Sequence, residues 1–298
     1  MKIRGIIYDV GLEYRKGQKL REINEDKLKE EFRIIRDELK CNAIGLHGSF
    51  NEKLLKAAKI GLEEGLEVWL FPRYINRSAE KTFKLFEELA KNAEKLRKKY
   101  EKVVLGIGDE LSVNCSSFFS GKNYVDRVRR LRCYVEFSKL FLTIQGNSTP
   151  DWFFKFKDKK EELHFLLGEF GDKEKIEEMQ NIANVIESYL KNFQENFLNF
   201  LSELVKIARK NFNGKISYSS GWWEPVDWDI FDLIGIGIYL GSENWFTYEK
   251  ILSQLKEKFK KPVIVTEFGA STFKYASMYG GGAWSIFEKF EVERSEEE

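Results

Sequence analysis

Histidine and cysteine are scarce in this chain, two and three among 298 residues. With only His47 and His164 to draw on, the latter within the expected insertion, the sequence argues against a histidine-centred triad or a His-rich metal site and for carboxylates as the chemical groups. Cys41, Cys115 and Cys133 are odd in number and far apart, which argues against a disulfide framework or a zinc knuckle and for a reducing compartment. Net charge is also missing. Lys+Arg 49 against Asp+Glu 48 leaves +1, so no global field draws nucleic acid, an anionic membrane or an acidic partner. No apolar run approaches the roughly 18 residues that span a bilayer, and the stretch after Met1 and Lys2 breaks at Asp9, too early for a signal-peptide core. The expectation is a cytoplasmic protein with a neutral or small ligand, no metal or cofactor, and no nucleic-acid or membrane partner.

What is present is core-forming material. The chain is 43% hydrophobic and 15% aromatic, enough for one large domain over 1–298. A charged content of 33%, rich in Lys and Glu with only four prolines, resembles the surface composition of thermophile proteins.

Short apolar runs alternate with amphipathic stretches. Strands are expected at 3–10, 42–47, 66–72, 102–108, 215–220, 232–240 and 262–268, and helices near 25–39, 51–64 and 78–99. Strands this apolar, joined by helical crossovers, belong in a parallel sheet buried on both faces. Seven of them favour a TIM-type (β/α)8 barrel short of a regular eighth strand, since neither a GxGxxG nor a GxxxxGK[ST] loop follows the first strand to mark an open doubly wound sheet. Such a barrel would expose two strand edges, which a homodimer would cover. Residues 122–214 exceed what one crossover needs and read as a helical insertion, with helices near 122–145 and 174–211 and an aromatic DWFFKF stretch at 151–156.

In parallel barrels the functional groups sit at the C-terminal strand ends. There the sequence places Asp9, His47, Arg73, Asp109, Glu110, Trp223, Glu224, Tyr239 and Glu267. Glu110 in GIGDELS and Glu267 in VIVTEFGAS each end an otherwise apolar strand, where a lone charge is costly unless paired or used. Two such carboxyls flanking a glycosidic bond are what a glycoside hydrolase needs. Trp223 and Trp284 offer faces on which sugar rings stack, and Asp9, His47, Arg73, Asp109, Glu224 and Tyr239 are the polar candidates for substrate binding.

The motifs YDVG, LFPR, GDELS, YSSGWWEPVDW and TEFGAS, with the segment YGGGAW, resemble the barrels of glycoside hydrolase clan A, and within it a prokaryotic group labelled abortive infection proteins. The resemblance implies a retaining O-glycoside hydrolase with Glu110 as acid/base, Glu267 as nucleophile and Tyr239 as a hydrogen-bond partner of the nucleophile. It departs from the clan at Asp109, where Asn is usual, at His47, where Arg is usual, and in the eighth strand. These departures frame the alternative, an inactive clan A-like barrel that binds a carbohydrate or other ligand in a defence role. The basic run of Arg127, Arg129, Arg130 and Arg132 reads as a solvated helix face, and Gly280 to Gly282 as a rim loop.

Overall fold

The computed structural model describes residues 3–20, 22–128, 130–131, 173–242, 244–271 and 273–278, with the backbone alone for 173–190. Its strands are β1 (Gly5–Asp9), β2 (Ala43–Gly48), β3 (Glu67–Pro72), β4 (Val103–Asp109), β5 (Ile216–Gly221), β6 (Ile234–Gly237) and β7 (Val263–Glu267). Each pairs in parallel with the next, in the order β1-β2-β3-β4-β5-β6-β7, and together they form a nearly closed barrel. Six strands fall within two residues of their expected bounds. The exception is β6, which stops at Gly237 and leaves Tyr239 in the following loop.

Among the described residues the helices include α1 (Glu25–Asp37), α2 (Asn51–Glu63), α3 (Ala79–Tyr100), the one-turn α4 (Leu111–Asn114), α5 (Lys173–Asn211) and α6 (Tyr248–Phe259), the last in a crossover where the sequence predicts none, and residues 124–128 and 130–131 are helical as well. Side-chain caps fix two starts: Asn24 accepts from the Lys27 amide and Ser78 from the Lys81 amide. No helix among the described residues is long and apolar enough to cross a membrane.

Of the insertion expected over 122–214, residues 132–172, including DWFFKF, lie outside the described residues. Phe193, Phe197, Phe200, Leu201 and Leu204 of α5 are buried at helical spacing, and the Phe83 and Phe200 rings approach to 5.0 Å. This half of α5 therefore packs on α3 within the β4–β5 crossover.

Strand alternation divides two cores. Ile44, Leu46, Val68, Leu70, Leu105 and Ile107 point outward under the helices. Ala43, Trp69, Phe71, Val104 and Leu233 fill the barrel interior. Burying a ring such as Phe71 contributes about 1.5–3 kcal/mol. The room for it comes from Gly106, where an added Cβ would lie 2.3 Å from Phe71 Cδ1. Phe71 meets the His47 ring edge-on at 5.8 Å and so forms the floor beneath the strand ends.

Candidate active site

Alternation alone would turn two of the key carboxylates away from the barrel. Asp109 shares its parity with the outward Leu105 and Ile107, and Glu267 shares its parity with Val263, which packs under the helices. The register shifts where each must turn inward: between Gly106 and Asp109 in the β4–β5 pair, and at Ile236–Gly237 opposite Glu267 in the β6–β7 pair. Such irregularities re-aim side chains next to active sites. Gly108 supplies one of them with a φ of 152°, and Gly237 leaves space beside Glu267.

Glu110 is held in a left-handed conformation, φ 38° and ψ 49°, which residues with a side chain seldom adopt. Its amide donates to Ser219 O at 2.9 Å, and its carbonyl accepts from the Val113 and Asn114 amides at 3.1 and 3.0 Å. The Asn114 side chain returns to Asp109 O at 2.7 Å. Together these bonds fix the backbone that presents both acids.

The side chains converge on Arg73 at the end of β3. Its Nε lies 2.7 Å from Asp109 Oδ2, Nη2 lies 3.5 Å from Glu110 Oε2, and Nη1 lies 3.7 Å from Glu267 Oε1. Tyr239 donates to Glu267 Oε2 at 2.9 Å, and His47 Nδ1 stands 3.6 Å from Glu267 Oε1. At the base, the Ser219 and Thr266 hydroxyls bond at 2.8 Å.

Three acids share one guanidinium, so protons are retained. Burial, then the charges of Asp109 and Glu267, raise the Glu110 pKa well above the ordinary glutamate value, with Arg73 opposing and Glu224 adding to the rise. Burial and Asp109 also raise Glu267, against Arg73, His47 and the Tyr239 hydrogen bond. Burial raises Asp109, with Arg73 the main opposing influence. His47 is pushed down to about 3, by burial and then by Arg73, so it is neutral and its approach to Glu267 is not an ion pair. Glu110 is thus the natural proton donor of the cluster. His47, Asp109 and Glu267 each offer a ligand atom within 4.8 Å of the others, but a divalent cation there would have to displace Arg73.

The other expected residues divide. Glu224 is 5% exposed and both its oxygens are engaged, Oε1 by the Ser112 amide at 2.9 Å, and Oε2 by the Tyr218 hydroxyl at 2.6 Å and the Gly221 amide at 2.9 Å. This corrects its reading as a substrate ligand: it clamps the loop after β5 to α4. Trp223 joins the same clamp, donating to Ser112 Oγ at 3.1 Å and meeting Trp222 edge-on. Asp9 is exposed and accepts from the Gly11 amide at 2.6 Å, which shapes its own turn. Trp284 lies outside the described residues. Sequence reasoning missed Tyr14 and Tyr124, whose rings meet at 5.3 Å and whose hydroxyls feel Arg73 and Asp109. Their position after strand ends one and four was the available signal.

No protein-family model matches the chain, and no curated protein does. Among solved structures, a GH113 beta-mannanase from Alicyclobacillus acidocaldarius aligns over 93% of this chain and 74% of its own, with a TM-score of 0.52 at 12% identity. A GH113 beta-1,4-mannanase aligns over 98% and 77%, with a TM-score of 0.53 at 12% identity. At such identity the likeness establishes the fold alone, the barrel that the clan A resemblance implies.

Proposed function

We propose that this chain is a retaining O-glycoside hydrolase. The observation that carries the reading is the convergence of Glu110 and Glu267, from the ends of β4 and β7, on the guanidinium of Arg73. Glu110 gives its proton to the glycosidic oxygen as the bond to the anomeric carbon breaks, and a Glu267 oxygen bonds that carbon. Glu110, now a carboxylate, takes a proton from water, whose oxygen bonds the anomeric carbon and displaces Glu267, leaving Glu110 protonated and Glu267 a carboxylate as at the start. Arg73 and Tyr239 favour the ionised form of Glu267 before attack and steady its departure afterwards. His47 and Asp109 are the polar groups beside the two glutamates that could meet sugar hydroxyls. Beta-mannosides head the list of substrates to try, because two fold neighbours are named as mannanases.

A second reading has its own observation: the shortest contact of Arg73 goes to Asp109, not to Glu267. A nucleophile whose charge is opposed by Asp109 suits a barrel that binds sugar without cleaving it. A role in phage defence rests on the sequence resemblance alone.

The deciding experiment screens wild type and Glu267→Gln against aryl β- and α-glycosides, then treats the wild type with a mechanism-based fluoro-sugar and maps the adduct by mass spectrometry. Turnover lost in the variant, with the label on Glu267, is the expected result. Neither turnover nor adduct, with sugar binding retained in both proteins, would favour the binding barrel.

A further inference from the structure

Arg127 departs from the solvated face expected of its basic run. It is 1% exposed, whereas Arg130 on the same helical segment is exposed. Its Nε donates to Val113 O at 2.6 Å, and its Nη2 to Asn114 O at 3.2 Å and to Asn76 Oδ1 at 2.7 Å. Val113 and Asn114 are the last residues of α4, whose carbonyls carry the negative end of that turn and suit a cation. Asn76 in turn donates through Nδ2 to Tyr14 O at 3.1 Å, while its amide donates to Asn114 O at 2.9 Å. Tyr124 lies one helical turn before Arg127 and stacks edge-on with Tyr14. One buried guanidinium therefore joins the loops after β1, β3 and β4. Gly121 leaves little slack, since a Cβ there would lie 3.0 Å from Arg127 Cγ.

We propose that Arg127 is a positioning residue: it locks α4 from behind, holding Glu110 in its strained conformation and the Tyr14–Tyr124 pair against the carboxylate pocket as one wall. A buried cation is costly, and a methionine would fill the same space without that cost. What the guanidinium adds is planar, multi-acceptor geometry, which lysine does not reproduce. The effect on turnover rests on Glu110 being the acid/base; the effect on Glu110 itself does not.

The test reads Glu110 directly. Wild type, Arg127→Lys, Arg127→Ala and the surface control Arg130→Ala are labelled with 13C at the glutamate carboxyls. The Glu110 signal is assigned by its loss in Glu110→Gln. Around Glu110 stand Asp109, Glu267, Glu224, Tyr124 and Arg73, so its midpoint is sensitive to small displacements and to water. The expected result is a fall of about one pH unit in both Arg127 variants, reversed in Arg127→Ala by millimolar guanidinium, with Arg130→Ala unchanged. If Arg127→Ala does not fold, Arg127→Lys alone carries the comparison. A Glu110 midpoint that stays put while thermal stability drops would reduce Arg127 to a scaffold residue and overturn the proposal. Should wild type cleave no glycoside, the hydrolase reading fails, yet the titration still decides the role of Arg127.

Discussion

Arg73 Nε sits 2.7 Å from Asp109 Oδ2, nearer than the guanidinium comes to either glutamate. Asp109 is wholly buried, so this contact is what allows a charge to exist at the end of β4. Replacing Arg73 by Met should cost about 3–5 kcal/mol, because a buried carboxylate loses its counter-ion. Arg73→Lys should fold better, yet lose about 10²-fold in kcat/KM, since one ammonium cannot face three carboxylates at once. Urea unfolding and steady-state kinetics on the two variants separate the effects. Equal activity in Lys and wild type would show that the fork geometry is unused.

Asp109→Asn removes the charge that most opposes ionisation of Glu267 once burial is set aside, and the leading such charge on Glu110. Both glutamates should then release protons at lower pH. In a bell-shaped kcat/KM profile the acid limb reports ionisation of Glu267 and the basic limb reports protonated Glu110, so both limbs should slide toward acid, by about one unit. Limbs that do not move would mean that Arg73 already cancels the Asp109 charge.

Sequence period made most of the barrel legible because its strands are apolar and bounded by turns, and six of them sit where the runs do. The pair Glu110 and Glu267 was legible for the same reason, as charges interrupting apolar strands. What period could not show was the inward turn of Asp109 and Glu267, because regular alternation assigns them to the outer face and only a register shift overrides it. Glu224 misled because a carboxylate at a strand end is the same letter whether it faces a ligand or three donors of its own chain. Arg127 misled likewise: the helix faces of a basic run are equivalent until a partner buries one.

Glu224 gives a stability prediction with a definite sign. Burial pushes its carboxyl up to about 7 from an ordinary value of 4.5, against the hydrogen bonds of Ser112, Tyr218 and Gly221. Between those two values the folded protein keeps a proton that the unfolded chain has released, so this group makes stability fall as pH rises through the window. Glu224→Gln cannot titrate, and its amide must turn an NH2 toward a backbone N–H. The variant should lose about 1–3 kcal/mol at pH near 5, with the gap to wild type narrowing by pH near 8. Urea midpoints at the two pH values test this; a constant gap would mean that Glu224 is ionised throughout.

The floor of the site should be intolerant of a single methyl group at one glycine and tolerant of it at another. At Gly106 a Cβ would lie 2.3 Å from Phe71 Cδ1 and 2.8 Å from the Leu70 carbonyl oxygen, so the ring must rise toward His47 while the backbone also resists. Gly106→Ala should cost about 1–3 kcal/mol by overpacking, and it should disturb the site above as well. At Gly237 the nearest atoms, Glu267 Cβ and Ser220 O, both stand 3.6 Å away, ordinary contact distance. Gly237→Ala should therefore change stability by no more than about 0.5 kcal/mol. The ring is the cause if Phe71→Leu, which shortens it, recovers part of the loss in a Gly106→Ala background but destabilises the wild type. Additive losses in that double variant would place the strain in the backbone against Leu70 instead, and the register shift that follows Gly106 would then be the feature the glycine protects.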